Sequence, residues 1–168
     1  MEKRFAAAQV RANARTLFGL AAVFDKPVPF AGRREVVRQG AFSRTLASGS
    51  DVLALADHDP SRLLGRTSSG SLRLKESREG LHFDLTLPAT TLANDVLALV
   101  ESRNVGGMSF GFVTRRDSVA GDLRELLDLD LVEISVVSAF PAYPQTSVGA
   151  RAAECMTVAR ARLILRSA

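Results

Sequence analysis

Three polar residues stand where the local pattern asks for apolar ones, and their types suit acyl transfer. They are His58, Ser109 and Glu133. A serine hydroxyl is a weak nucleophile until a base takes its proton. That base must lie within about 2.6–3.2 Å and be oriented by a third group. Imidazole and carboxylate supply those two roles. The chain order His58, Ser109, Glu133 differs from the three familiar orders of serine hydrolases, but roles matter more than order.

Side chains alternate between the faces of a strand, so parity sorts each candidate. Residues 51–58 (DVLALADH) read as a strand. Val52, Ala54, Ala56 and His58 then share one face, and Asp57 and Asp59 the other. A strand-end histidine beside solvent is the plain alternative, and a metal site with Asp57 or Asp59 is a third. In residues 106–112 (GGMSFGF) Met108, Phe110 and Phe112 form an apolar row, with Ser109 and Gly111 opposite. The flanking glycines let another backbone come close. The string GMSFG also fits G-x-S-x-G, but a nucleophile elbow needs a helix after the serine and the histidine last. Here a strand follows and both histidines precede Ser109, which excludes an α/β-hydrolase. In residues 127–137 (LDLDLVEISVV) parity puts Glu133 and Ser135 on the row of Leu127, Leu129 and Leu131. A buried carboxylate needs a partner, either an arginine or a histidine whose tautomer it fixes.

The elements that must hold these residues are short. The chain has 168 residues, room for one domain and a core that needs no disulfide staple. Apolar runs broken by Gly, Pro, Ser and Asp read as strands at residues 15–24, 35–38, 51–58, 63–66, 71–76, 81–87, 108–114 and 123–137, the last being one or two strands. Residues 41–47 suit a helical turn, and Asp59-Pro60 a helix start. Residues 91–102 carry helical apolar spacing behind a threonine cap. The sum is a mostly β chain with a few helices, a largely antiparallel barrel or sandwich.

Composition removes other classes. One cysteine, Cys155, allows no internal disulfide, which suits a reducing cytoplasm. Two histidines and one cysteine are too few for a His/Cys zinc site. No apolar run reaches the roughly 20 residues that span a bilayer, and residues 1–15 make a poor secretion signal. The net charge is +4, and arginine supplies 19 of the 22 basic residues, spread along the chain. With one Tyr and no Trp there is neither a basic stripe nor a stacking platform. A solvated basic surface explains the charge better than nucleic acid does.

The chain resembles the prohead (capsid maturation) proteases of tailed bacteriophages of the HK97 type, which are related to herpesvirus assemblins. The matching residues are Gly19-Leu20-Ala21-Ala22-Val23-Phe24, Gly40-Ala41-Phe42, His58-Asp59 with Leu64-Gly65-Arg66-Thr67, and Gly80-Leu81-His82-Phe83. Then come Gly107-Met108-Ser109-Phe110-Gly111-Phe112 and Leu131-Val132-Glu133-Ile134-Ser135 leading to Pro141-Ala142-Tyr143-Pro144. The resemblance implies a herpesvirus-protease-like antiparallel β-barrel with flanking helices. The resemblance covers residues 14–150, the protease domain, between an N-terminal extension (1–13) and a C-terminal segment (151–168) in which the pattern of residues 155–165 reads as a basic closing helix. It implies a serine endopeptidase with His58 as base and Ser109 as nucleophile, using no cofactor and no metal. The herpesvirus relatives use a histidine after the serine as third member. This chain has none there, and Glu133 is the candidate. His82 precedes Ser109 and reads as a turn-proximal strand residue. The implied partners are the major capsid protein, with its scaffold-like segment, and the protease itself through self-cleavage, with a homo-oligomer as a separate alternative. The implied place is inside a procapsid in a bacterial host's cytoplasm, for a phage, a prophage or a gene transfer agent. Two other readings stay open: a non-catalytic capsid assembly or scaffold-binding protein of the same fold, and a cysteine hydrolase using Cys155. Backbone N–H groups near Ser109 or in residues 140–143 are candidate oxyanion donors.

Overall fold

The computed structural model describes residues 2–6, 10–13, 15–105 and 107–138. The readings made for the Pro141–Pro144 stretch, Cys155 and the C-terminal segment lie outside the described residues. Among the described residues the chain is mostly β with two helices, and its two sheets form no closed barrel. One sheet is wholly antiparallel, in the order β2 (Val10–Asn13), β3 (Thr16–Val23), β9 (Gly80–Thr86), β8 (Leu72–Glu76). The other is built around β10 (Gly107–Ala120) and β11 (Leu123–Val137), a long antiparallel hairpin turned at Gly121-Asp122. The expectation of one or two strands after residue 123 resolves to one.

Strand β11 is central because both its edges are used. β10 pairs along one edge and itself receives β1 (Glu2–Ala6) on its far side. The other edge of β11 is shared between two parallel partners. β5 (Arg33–Val37) takes residues 123–126, and β6 (Leu53–Ala56) takes residues 133–136. β4 (Val28–Phe30) pairs β5, and β7 (Asp59–Arg66) pairs β6. In the gap between β5 and β6 the backbone of β11 finds other partners, as buried polar groups must. Leu129 N–H donates to the Ala41 carbonyl at 2.8 Å. The buried Thr45 hydroxyl, on α1 (Ser43–Ser48), donates to the Leu129 carbonyl and accepts from Leu131 N–H, both at 3.0 Å.

The core lies on one face of this sheet. Met108, Phe110 and Phe112 are buried there, as parity predicts, with Leu129, Leu131, Ile134 and Val136. Phe110 stacks on Phe112 and meets Phe42 edge-on, both with centroids 5.5 Å apart. Burial of each such ring is worth about 1.5–3 kcal/mol. The helix α2 (Thr91–Glu101) buries Ala93, Val96 and Val100 against this core, and the Thr90 side chain caps it by accepting from Ala93 N–H.

Two sequence expectations are corrected here. First, the strand at residue 51 does not reach His58. β6 stops at Ala56, and Asp57 and His58 form the two-residue turn to β7, with φ of 53° and 59°. Positive φ at both central residues is the hairpin turn whose twist matches its strands. Asp59-Pro60 therefore starts β7 rather than a helix. The parity that grouped His58 with Val52, Ala54 and Ala56 does not apply. Second, Glu133 does not sit on the row of Leu129 and Leu131. Leu131 pairs with Phe112, but Glu133 pairs with the very next residue back, Gly111. Val132 is thus an extra residue, a β-bulge, and it flips the faces beyond it. Leu129 and Leu131 stay with Phe112 on the core face. Glu133 and Ser135 move to the face of Gly111 and Ser109.

Candidate active site

The bulge at Val132 brings the polar residues together. Directly opposed residues of an antiparallel pair project to one face, with Cβ atoms about 4.5–5.5 Å apart. Ser109 is opposite Ser135, and Gly111 is opposite Glu133. All four therefore share one face. Ser109 and Ser135 are fully buried, and Glu133 is 2% exposed. The missing side chain of Gly111 is what makes room for the carboxylate. A Cβ built there would lie 2.3 Å from Glu133 Oε1 and 3.0 Å from its Cδ.

His58 reaches the same face from the β6–β7 turn, because β6 is the other neighbour of β11. Its Nδ1 lies 2.6 Å from Glu133 Oε1. A carboxylate only accepts, so Nδ1 is the donor of this bond. The second carboxylate oxygen, Oε2, accepts from the Ser135 hydroxyl at 2.6 Å. That hydroxyl in turn accepts from the His58 backbone N–H at 3.2 Å. His58 Nε2 is itself buried. A left-handed conformation at a residue that is not glycine is uncommon, though Asp and His tolerate it better than most.

The turn is held from outside by Asp57. Its carboxylate accepts from Ser138 N–H at 2.7 Å and from the Ser138 hydroxyl at 3.1 Å, and it pairs with Arg62. Its own N–H donates to the Val136 carbonyl at 2.9 Å. Partial burial pushes the Asp57 carboxyl up, but the Ser138 N–H, Arg62 and the Ser138 hydroxyl together outweigh it. The net result is a carboxyl below the ordinary aspartate range. Asp59 points elsewhere, accepting from the backbone and hydroxyl of Ser61 at 2.8 and 2.7 Å. The metal reading of His58 with Asp57 or Asp59 therefore meets three side chains turned to three different partners. Among the described residues no group of three or more His, Cys, Asp or Glu is placed to hold a metal ion.

The structure brings His58 and Glu133 into contact and sets Ser109 on the same face. The arginine alternative for Glu133 gives way to the histidine. The buried carboxylate that pairs with an arginine is Glu35, held by Arg124 at 3.2 Å. His82 lies on β9 in the other sheet, where its Nε2 bonds the Ser77 hydroxyl at 2.8 Å. Cys155 and residues 140–143 lie outside the described residues. Sequence reasoning missed Ser135 as a member of the cluster. Its signal was present, since it repeats the parity of Glu133 two residues on.

The arrangement is a histidine held by a buried carboxylate, with the side chain of Ser109 on the same strand face, residue types that general-base activation of a hydroxyl requires. Comparison with known proteins adds one finding. Residues 4–160 match the family model described as caudovirus prohead serine protease. No curated protein and no solved structure matches the chain.

Proposed function

The chain belongs to the caudovirus prohead serine protease family, a family that points to a capsid maturation protease, and from that premise we propose that Ser109 is its nucleophile, His58 its general base and Glu133 its third member. The observation that carries this reading is the 2.6 Å bond between His58 Nδ1 and buried Glu133, on the face that Ser109 shares.

In this mechanism Glu133 fixes the tautomer with the proton on Nδ1, leaving Nε2 to accept. Ser109 Oγ attacks the scissile carbonyl as Nε2 takes its proton. The carboxylate stabilises the imidazolium that forms, and Nε2–H then protonates the leaving amine. Water, activated by the same nitrogen, frees the acyl group from Ser109. Burial of the pair in a poorly polarisable surrounding strengthens the carboxylate's effect on the cation. Because Ser109 is fully buried, entry of a peptide needs a local opening of this part of the chain.

The proposed substrate is the scaffold-like segment of the major capsid protein, cleaved inside the procapsid within the bacterial host, together with the protease itself. Family membership supports this reading. The test is co-expression with the major capsid protein encoded in the same genome, followed by mass analysis of that capsid protein. Wild type should yield a shortened capsid protein, and Ser109→Ala only the full-length one. Equal processing by both would reject Ser109 as nucleophile. No shortening by either would favour the non-catalytic assembly reading.

A further inference from the structure

We infer that Ser135 is a positioning residue of this site, whose hydroxyl holds the Glu133 carboxylate and the His58 backbone in one geometry. The inference rests on the triad reading above.

Its basis is that one hydroxyl is used in both directions at once. A serine hydroxyl has one proton to give and two lone pairs to offer. Ser135 gives its proton to Glu133 Oε2 at 2.6 Å and receives the His58 N–H at 3.2 Å. The first bond acts on a torsion that is otherwise loose, since the terminal torsion of glutamate is broad. With Oε2 tied to Ser135, Oε1 is turned toward His58 Nδ1. The second bond acts on the turn. His58 sits at φ 59° after Asp57 at 53°, a conformation that persists only where surrounding contacts determine it.

The fold explains why Ser135 can do both. It follows the Val132 bulge with Glu133, so the two share a face. Ser135 pairs with Leu55 of β6, and Val136 with Ala56, the last residue before the Asp57-His58 turn. The hydroxyl therefore lies under the turn and next to the carboxylate. It is also opposite Ser109 on β10. A residue that merely filled this fully buried position would need no hydrogen to donate, and alanine would serve.

The test uses the full chain as wild type, Ser135→Ala, Ser135→Cys and Ser135→Thr. Three quantities are read: the thermal midpoint, the rate and apparent affinity with which a fluorophosphonate acylates Ser109, and the low-field proton NMR signal of His58 Nδ1–H. Ser135→Ala and Ser135→Cys should displace or broaden that signal. They should also slow acylation per folded molecule by about 10- to 100-fold, while apparent affinity changes less than about twofold. Ser135→Thr, which keeps the hydroxyl, should recover both signal and rate. A merely structural Ser135 would lower the midpoint in Ser135→Ala and leave the signal and the rate at wild-type values, and that result overturns the inference. If wild-type Ser109 takes no probe, the nucleophile assignment fails instead. The NMR signal then decides for Ser135: lost with alanine and kept with threonine supports it, unchanged with alanine overturns it.

Discussion

Replacing Gly111 by alanine puts a methyl group into space that the Glu133 carboxylate occupies. The new Cβ would lie 2.3 Å from Oε1, 3.0 Å from Cδ and 3.1 Å from Cγ, while ordinary contact begins near 3.4 Å. Moving from 2.3 to 3.4 Å requires Oε1 to retreat by about 1.1 Å. Oε1 accepts from His58 Nδ1 at 2.6 Å, and Oε2 is tied to Ser135 at 2.6 Å. The carboxylate cannot move that far and keep both bonds. Two opposing effects set the stability change. Alanine in a strand gains roughly 0.5–1 kcal/mol over glycine through chain entropy. Overpacking a closed site costs about 1–3 kcal/mol. The second wins, and at roughly 2–4 °C per kcal/mol the midpoint should fall by a few degrees. The effect on rate is larger, because a displacement of about 1 Å at a catalytic group can cost about 10²-fold. The assay is fluorophosphonate acylation of Ser109, measured well below each variant's midpoint. Gly65→Ala is the control. Its Cβ would lie 2.6 Å from Leu85 Cδ1 and 2.8 Å from Ser71 Oγ, on β7 and away from His58 and Glu133. It should lower the midpoint and leave acylation per folded molecule unchanged. A Gly111→Ala protein that reacts at the wild-type rate refutes the claim that Glu133 must stand where it does.

Other outcomes follow from the same geometry. Glu133→Gln keeps the shape but loses the charge facing the imidazolium, and it should slow cleavage about 10²–10³-fold, less than the roughly 10⁴ of an aspartate-to-asparagine triad change. A lowered midpoint with an unchanged rate would return Glu133 to a structural role. Asp57→Asn should lower the midpoint by about 2–4 °C near neutral pH, since bonds worth about 1 kcal/mol at a partly exposed site are weakened. Because the folded-state carboxyl lies below its ordinary value, that gap should be full above about pH 4 and close as pH falls through the lowered value. Midpoints of both proteins from pH 2 to 7 check this, and a gap that widens in acid contradicts it. Chelators and thiol-alkylating reagents should leave cleavage unchanged. Inhibition by a chelator that added metal reverses would move the chemistry to His58 with Asp57 or Asp59.

Much of the site was legible from residue types, and much of its geometry was not. The apolar row of Met108, Phe110 and Phe112 followed from parity because β10 is regular there. The same rule misplaced Glu133, since a period of two assumes that no residue is inserted, and nothing in LDLVEIS announces a bulge at Val132. The carboxylate's need for a partner was still readable, because burial of a charge carries that requirement wherever the face lies. The turn at Asp57-His58 was missed for a related reason. The usual glycine or asparagine signal is absent, and the left-handed pair is held by contacts from Ser135 and Ser138, some 77 to 81 residues away. Thr45 tying down β11 across 84 residues has no local sequence signal at all. The space beside Gly111, which its missing side chain opens to another backbone, is filled by the Glu133 side chain of the same protein.

Ser109 as a hydroxyl activated by His58 is the central proposal for this site. The most direct measurement is mass spectrometric mapping of a fluorophosphonate adduct on wild type, His58→Ala and Glu133→Gln, each folded and at equal concentration. A single adduct on Ser109 is expected in wild type, formed far more slowly in His58→Ala and at an intermediate rate in Glu133→Gln. An adduct on another residue, or labelling of Ser109 as fast without the His58 imidazole as with it, contradicts it.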